Sequence, residues 1–445
     1  MLKEGKSIAF HTLGCKLNFS ETSYLSRLCC EKGFRIVRFD GEADFYVVHS
    51  CAVTEVAEKK CRTLIRSIKK RTPHSKIVVI GCYSELRKAE LEAMPEVDLV
   101  LGNFDKYTLP EMLASSTDCV KSSAFRHCER SEAIQNDARN DERQNFVPTF
   151  SSGDRTRTFL KVQDGCDYFC TYCTVPYARG RSRSNTIAET LNTAQQAIDS
   201  GAMEIVLAGV NVGDFGKHQG ETFLELLQSL DAIEWNGRIR LSSIEPELLS
   251  DEIIRFVASS RHLMPHFHIP LQSGSDKILK LMHRRYSRNL FAQRIETIRT
   301  LLPFACIAVD VIVGFPEETE ADFLDTYQFL NDLEVSYLHV FPYSKRPGTP
   351  AAKMAQQTSA TQRKERSQML HRLSDEKKLQ FIRSNIGRAE NVLFESELSK
   401  GNMHGFTRNY IKVATPFDKS LINKEITMTL NDLNPNNEFI YKKEK

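Results

Sequence analysis

From Ser7 the chain alternates short apolar runs with stretches of helical period. SIAFHTLG from Ser7, DFYVVHS from Asp44 and KIVVIG from Lys76 predict strands, and residues 20–30 and 53–71 predict the helices between them. Parallel neighbours need a crossover long enough to hold a helix, so this alternation predicts a parallel α/β domain over residues 1–115. Residues 116–152 are polar, nearly balanced in charge and without a sustained apolar face, the pattern of a linker or insertion. Alternation then resumes. Strands begin near Phe159 (FLKVQD), Glu204 (EIVLAG), Arg238 (RIRLSS), His266 (HFHIPL), Ile307 (IAVDVIV) and Ser336 (SYLHVFP), with helical stretches between them. Six βα repeats predict a partial (β/α)6 barrel over residues 153–376, its site at the carboxyl ends of the strands. After a charged helix at 362–384, the runs AENVLFE from Ala389, GFTRNYIKV from Gly405 and EITMTL from Glu425 predict a small OB-like β-barrel within residues 377–445.

Composition narrows the class. A chain of 445 residues exceeds what one hydrophobic core supports, and 41% hydrophobic with 26% charged residues excludes a fibrous or largely disordered protein. No apolar run approaches a membrane span, and MLKEGKSIAF lacks the apolar centre of a signal peptide, so the expectation is a cytoplasmic protein with no membrane partner. The net charge of +3 says little, but residues 377–445 hold 12 Lys and Arg against 8 Asp and Glu, a local excess suited to a polyanion. Twelve cysteines in a chain without an export signal point to metal, redox or packing roles rather than disulfides.

GCDYFCTYC from Gly165 places Cys166, Cys170 and Cys173 on one loop just after the first barrel strand. Three thiolates can hold three irons of a [4Fe-4S] cluster and leave the fourth open to a small molecule. Zinc competes, but it needs a fourth donor, and the nearest following histidine, His218, is far along the chain. Cys15, Cys51 and Cys82 are 36 and 31 residues apart, yet each follows one of the first three predicted strands. Parallel strands would bring all three to the carboxyl edge of one sheet, with ordinary burial of cysteine as the competing account.

The C-x3-C-x2-C loop resembles that of the radical S-adenosylmethionine superfamily, in which the cofactor chelates the open iron. DVIVGFPEET from Asp310 is similar to the family's fifth-strand segment, with Ile312, Gly314 and Glu317 matching and Asp310 replacing its first glycine. The resemblance implies S-adenosylmethionine contacts near Gly314, and near Gly209, which also reads simply as a glycine ending a strand. TLGCKLN from Thr12, HSCAVTE from His49 and IGCY from Ile80, together with the barrel loop and the C-terminal module, resemble the methylthiotransferases from end to end. That resemblance implies a second [4Fe-4S] cluster on Cys15, Cys51 and Cys82 and an RNA-binding TRAM module at 377–445. LGCKLNFSET and VFPYSKRPGTPA are most similar to the branch that converts N6-threonylcarbamoyladenosine at position 37 of tRNA, beside the anticodon, to its 2-methylthio form. It also implies two molecules of S-adenosylmethionine, one methylating sulfur and one supplying the radical, with a low-potential electron donor and a sulfur source as further partners. Isopentenyl-adenosine tRNA and ribosomal protein S12 are the alternative substrates, and a non-catalytic iron–sulfur RNA-binding protein is the alternative from another class. Residues 116–152, with Cys119 and Cys128, depart from the family pattern.

Other features carry weaker chemistry. Cys29, Cys30 and Cys306 read as packing residues, and Cys61 has no partner thiol. Seven Lys or Arg between Lys59 and Arg71 suit phosphate contacts or a solvated helix face. Arg179, Arg181 and Arg183 alternate after the cysteine loop and suit steering of a polynucleotide. His266 and His268 share one side of a strand, as interior hydrogen-bonding groups or as catalytic ones. Phe406, Arg408, Tyr410 and Lys412 alternate along a predicted strand face, where base stacking competes with an inward aromatic core.

Overall fold

The computed structural model describes residues 5–52, 54–115, 146–153, 156–399 and 401–442. Cys119, Cys128 and most of the expected insertion at 116–152 lie outside the described residues. The chain divides into two compact units, Met1–Thr149 with Thr174–Arg181, and Phe150–Cys173 with Ser182–Lys445.

In the first unit β1 (Ser7–Thr12), β2 (Arg35–Ile36), β3 (Phe45–Ser50), β4 (Lys76–Gly81) and β5 (Leu99–Leu101) form a parallel sheet ordered β2-β1-β3-β4-β5. The period of two explains the two cores. Ala9, Tyr46, Val48, Ile77 and Val79 pack on Cys61, Ile65 and Ile68 of the helix Glu55–Arg71, and Ile8, Phe45, Val47, Val78 and Ile80 on Leu25 and Cys29 of the helix Lys16–Glu31. A sheet covered on both faces needs apolar residues at successive positions, which is why β3 and β4 read as unbroken runs. Cys29 and Cys61 are thus packing residues, whereas Cys30, expected to be buried, is exposed.

In the second unit β6 (Arg157–Lys161), β7 (Glu204–Ala208) and β8 (Arg238–Leu241) form one parallel sheet, and β9 (His266–Gln272), β10 (Cys306–Val313) and β11 (Tyr337–Pro342) another. Isolated bridges Ile239↔Leu263 and Ser243↔His268 join the two. The six strands form the expected partial barrel. Leu207, Leu241, Ile269, Val309, Val311 and Val340 belong to the apolar layer under the helices, so the alternate positions, Glu204, Arg238, Arg240, His268, Asp310 and His339, look inward. Near the amino ends of the strands Glu204 accepts hydrogen bonds from Arg238 at 2.5 Å and Arg240 at 3.0 Å, and these cations hold its carboxyl far below the usual range despite burial.

The same unit ends in a sheet ordered β15-β12-β13-β14-β16, from β12 (Ala389–Ser399), β13 (Asn402–Thr407), β14 (Lys412–Pro416), β15 (Glu425–Thr429) and β16 (Phe439–Ile440). β12 pairs with β15 along one edge over Ala389–Leu393 and with β13 along the other, where the register shifts between Phe394 and Leu398. The sheet curls around Val392, Phe394, Met403, Val413 and Phe439, consistent with a small barrel.

The expected strand from Gly405 is instead two strands and a turn. Thr407 and Ile411 close the hairpin, and Tyr410 takes a left-handed backbone, φ +67°. Phe406, Arg408, Tyr410 and Lys412 therefore do not share a strand face. The Tyr410 ring stacks on Phe406 at 4.9 Å and lies 4.8 Å from the His266 ring. Its hydroxyl accepts from Arg157 at 2.7 Å, and the Arg240 guanidinium lies 4.8 Å from its ring centre. Arg408 pairs with Glu425 and Lys412 with Glu438. Through Arg157, Arg240 and His266, Tyr410 anchors the C-terminal module to the barrel strands near their amino ends.

Candidate functional site

The first thiol set lies at the carboxyl edge of the N-terminal sheet, where Cys15, Cys51 and Cys82 follow β1, β3 and β4. Strand order reverses between β1 and β3, the place where open parallel sheets gather ligands. Two glycines make the approach possible. Gly14 has φ +114°, and a Cβ there would stand 2.8 Å from Cys51 Cβ; Gly81 has φ +102°, and its Cβ would meet the His49 ring at 2.6 Å. Buried Asn18 ties the loops together, donating to the carbonyls of Leu13 at 2.9 Å and Ser50 at 3.1 Å. Asn103 donates to Cys82 Sγ at 3.4 Å. Cys51 and Cys82 are buried, while Cys15 is reached by solvent. Dense surroundings raise the Cys15 thiol, Arg179 opposes that and the nearby Cys82 adds to it.

Beside the thiols lies a charge network that the sequence reading missed. Glu21 is fully buried and accepts from Lys106 at 2.6 Å and from Arg179 at 3.2 Å to each oxygen. Arg179 also donates to Asn18 Oδ1 at 2.6 Å. One carboxylate thus faces two buried cations, leaving positive charge where three thiolates would need it. Arg179 is only 2% exposed, so it does not steer a polynucleotide as expected. Of its two companions, Arg183 pairs with Asp164 at 3.0 Å, and Arg181 alone is exposed.

The second thiol set occupies the loop after β6. Gly165 at φ +71° and Phe169 at φ +49° bend it, and the Cys173 amide donates to the Cys170 carbonyl at 2.9 Å. Burial pushes the Cys166 thiol up to about 12, with Cys173 and Cys170 close enough to add to the effect. Arg284 donates to Cys170 Sγ at 3.3 Å, pairs with Glu245 and donates to the Tyr286 hydroxyl at 3.1 Å. Burial lifts Glu245 to about 7 against the pull of Arg284. Glu247 lies close to Tyr168 of the loop, its oxygens shielded from water, and helps to raise the Tyr168 hydroxyl above its usual range. A shielded carboxylate next to a tyrosine of the cysteine loop could receive a ligand carrying an ammonium group.

Gly209 and Gly314 have local reasons to be glycine. A Cβ on Gly209 would stand 2.9 Å from Val212 and 3.0 Å from Gln163 Oε1. Buried Gln163 accepts from the amides of Val210 and Asn211, each at 2.9 Å, and donates to the Gly165 carbonyl at 2.8 Å, joining the cysteine loop to the end of β7. Gly314 has φ +71°, and a Cβ there would strike Arg363 at 2.2 Å. Its amide donates to Glu318 at 2.7 Å, and Glu318 pairs with Arg366 at 2.5 Å, so Glu318 rather than Glu317 braces this turn. Cys306 is buried, as expected.

In the basic helix Glu55–Arg71 the cations divide. Arg62 bonds to Tyr83 and Glu90, Lys69 reaches Asp98, and Arg71 donates to the Phe39 carbonyl. Lys59, Lys60, Arg66 and Lys70 are exposed. No described helix is long and apolar enough to cross a membrane.

Comparison with known proteins agrees with this geometry. Residues 7–102 match the Uncharacterized protein family UPF0004, and residues 160–330 match the Radical SAM superfamily. The chain is 39% identical to the threonylcarbamoyladenosine tRNA methylthiotransferase MtaB of Bacillus subtilis, over 95% of this chain and 93% of that protein. It is 31% identical to the tRNA-2-methylthio-N(6)-dimethylallyladenosine synthase of Desulfitobacterium hafniense, over 97% and 96%. The fold is similar to that of the radical S-adenosylmethionine methyltransferase TsrM of Kitasatospora setae, with a TM-score of 0.56, 13% identity, and coverage of 78% of this chain and 75% of that one. With identity of this level along almost its whole length and cysteines placed at the carboxyl ends of both parallel folds, the chain belongs to the radical S-adenosylmethionine methylthiotransferase family.

Proposed function

We propose that this protein converts N6-threonylcarbamoyladenosine at position 37 of tRNA to its 2-methylthio derivative. The observation that carries the reading is the 39% identity to the Bacillus subtilis enzyme of that name across 95% of this chain. Cys166, Cys170 and Cys173 would hold one [4Fe-4S] cluster with an open iron, and Cys15, Cys51 and Cys82 a second. Held by the first cluster, S-adenosylmethionine would supply a carbon radical able to remove hydrogen from adenine C2, a bond that acid and base groups cannot activate. The protein's residues place and shield these groups. Arg284 stabilises the Cys170 thiolate by a charged hydrogen bond, Glu247 offers a carboxylate to the ammonium of S-adenosylmethionine, and Gly209 and Gly314 keep the turns near it narrow. Arg179, held by Glu21, offsets the negative charge gathered by the first thiol set. A low-potential electron donor and a sulfur source are required partners.

The proposed divisions are residues 1–115, an insertion at 116–152, the radical core at 153–376 and an RNA-binding TRAM module at 377–445, in a cytoplasmic protein. The anticodon loop of tRNA is the partner, and its phosphates would meet the exposed Lys59, Lys60, Arg66 and Lys70.

The test is mass spectrometry of tRNA nucleosides from cells with and without the gene. Loss of 2-methylthio-threonylcarbamoyladenosine with accumulation of its precursor is the expected result. An unchanged pool, with loss of the methylthio form of isopentenyl-adenosine instead, would transfer the assignment to the substrate of the Desulfitobacterium relative. The two clusters separate by mutation. Cys170→Ala should abolish formation of 5′-deoxyadenosine and remove about half the iron, whereas Cys51→Ala should spare cofactor cleavage and stop sulfur transfer. Cleavage retained in the first variant, or methylthiolation retained in the second, would refute the corresponding assignment.

A further inference from the structure

The inward face of β9, β10 and β11 carries a row of polar side chains. Layers inside a (β/α) barrel are ordinarily filled by branched apolar residues. Here His268, Asp310 and His339 stand on three adjacent strands, with Asp310 and His339 in register. His268 Nε2 lies 2.7 Å from Asp310 Oδ1, and the two imidazole centres are 5.2 Å apart. One donor or acceptor atom from each residue falls within 4.8 Å of the others. The row is open to solvent, with the His268 and Asp310 side chains 21% and 17% exposed and His339 more exposed still. Phe341, two residues further along β11, is 45% exposed and adds an apolar floor.

We propose that His268, Asp310 and His339 form a polar subsite that takes the N6 substituent of the substrate adenine and selects one rich in oxygen. This rests on the substrate reading given above. Covering the row with a dimethylallyl group would strip water from three hydrogen-bonding groups and return nothing. A threonylcarbamoyl group offers a carbonyl, a hydroxyl and a carboxylate to the imidazoles and N–H groups to Asp310. Sites built to hydrogen-bond a substrate reject analogues that lack the bonding group far better than apolar pockets reject an added one. His339 is the most exposed of the three side chains.

The test uses the full chain with its clusters reconstituted, and three anticodon stem-loop RNAs carrying threonylcarbamoyladenosine, isopentenyl-adenosine or plain adenosine. Affinities are read by fluorescence anisotropy. The wild-type chain should prefer the threonylcarbamoyl loop over both others by about tenfold, the worth of one good hydrogen bond. His339→Leu should bring that ratio near one while leaving affinity for the plain loop unchanged. His339→Gln, which keeps a donor, should retain most of the preference. Formation of 5′-deoxyadenosine without RNA should keep the same dependence on S-adenosylmethionine in all variants.

A ratio unmoved by His339→Leu would overturn the subsite. A shifted S-adenosylmethionine dependence would overturn it too, by assigning the row to the cofactor. So would one zinc per wild-type chain that His339→Leu loses, since the row would then hold a cation. Failure of the substrate reading is separate, because it shows in the wild-type chain as a preference for the isopentenyl loop.

Discussion

Glu21 illustrates what a single residue can hide. In the sequence it is one acidic position on an amphipathic helix, and nothing local marks it. Its partners Lys106 and Arg179 are 85 and 158 residues away, and only the fold shows that all three are buried. The placement of the six cysteines was legible, because both thiol sets were expected just after strands and are found there. Arg179 was misread because an arginine beside a cysteine loop looks the same whether it faces solvent or a buried carboxylate. Removing one member of such a cluster costs more than the cluster contributes, because the remaining charges stay buried without compensation. Glu21→Gln should therefore lower unfolding free energy by roughly 3–5 kcal/mol in urea titrations. A loss below about 1 kcal/mol, typical of an exposed pair, would mean that solvent reaches the network.

At the scale of elements, the sequence pattern was reliable wherever a strand was long and covered on both sides. β1, β3, β4 and the six barrel strands were all predicted. β2 and β5, of two and three residues, are too short to show a period. The clearest miss is the β13–β14 hairpin. GFTRNYIKV alternates as a strand should, but Asn409 donates to the Asn385 side chain and the Phe304 carbonyl, each at 2.9 Å, and so fixes a turn in the middle of the run. Periodicity records side-chain polarity, and the reversal depends on contacts outside the run. The correction changes what Tyr410 is expected to do. Tyr410→Ala should destabilise the second unit by roughly 2–3 kcal/mol through lost packing and cation–π contact. It should leave the salt dependence of tRNA binding unchanged, as filter-binding titrations would show, because Tyr410 is occupied by Arg157, Arg240 and Phe406. A reduced slope would return this turn to the RNA-binding surface.

For the whole molecule, the succession of a parallel sheet, six barrel strands and a terminal β-sheet was legible in the sequence. The path of the chain between the units was not. Residues 174–181 follow directly after Cys173, yet they belong to the first unit, where the Asn103 side chain donates to the Ala178 carbonyl at 2.6 Å and Arg179 meets Glu21. No spacing rule distinguishes this segment from the loop before it. A fragment ending at residue 115 thus lacks a piece of its own interior. Expressed alone, residues 1–115 should be insoluble or poorly folded. Co-expressed with residues 146–445, they should be recovered together in pull-down experiments, and independent folding of the shorter fragment would show that the segment is dispensable.

That returning segment also limits how such proteins can be recombined. The natural module of exchange is discontinuous: a chimera that borrows its first hundred residues from another branch would inherit the pocket for Arg179 without the strand of chain that fills it. Grafts should succeed when residues 174–181 travel with the N-terminal sheet, so descent in this architecture favours inheriting both units together over shuffling them one at a time.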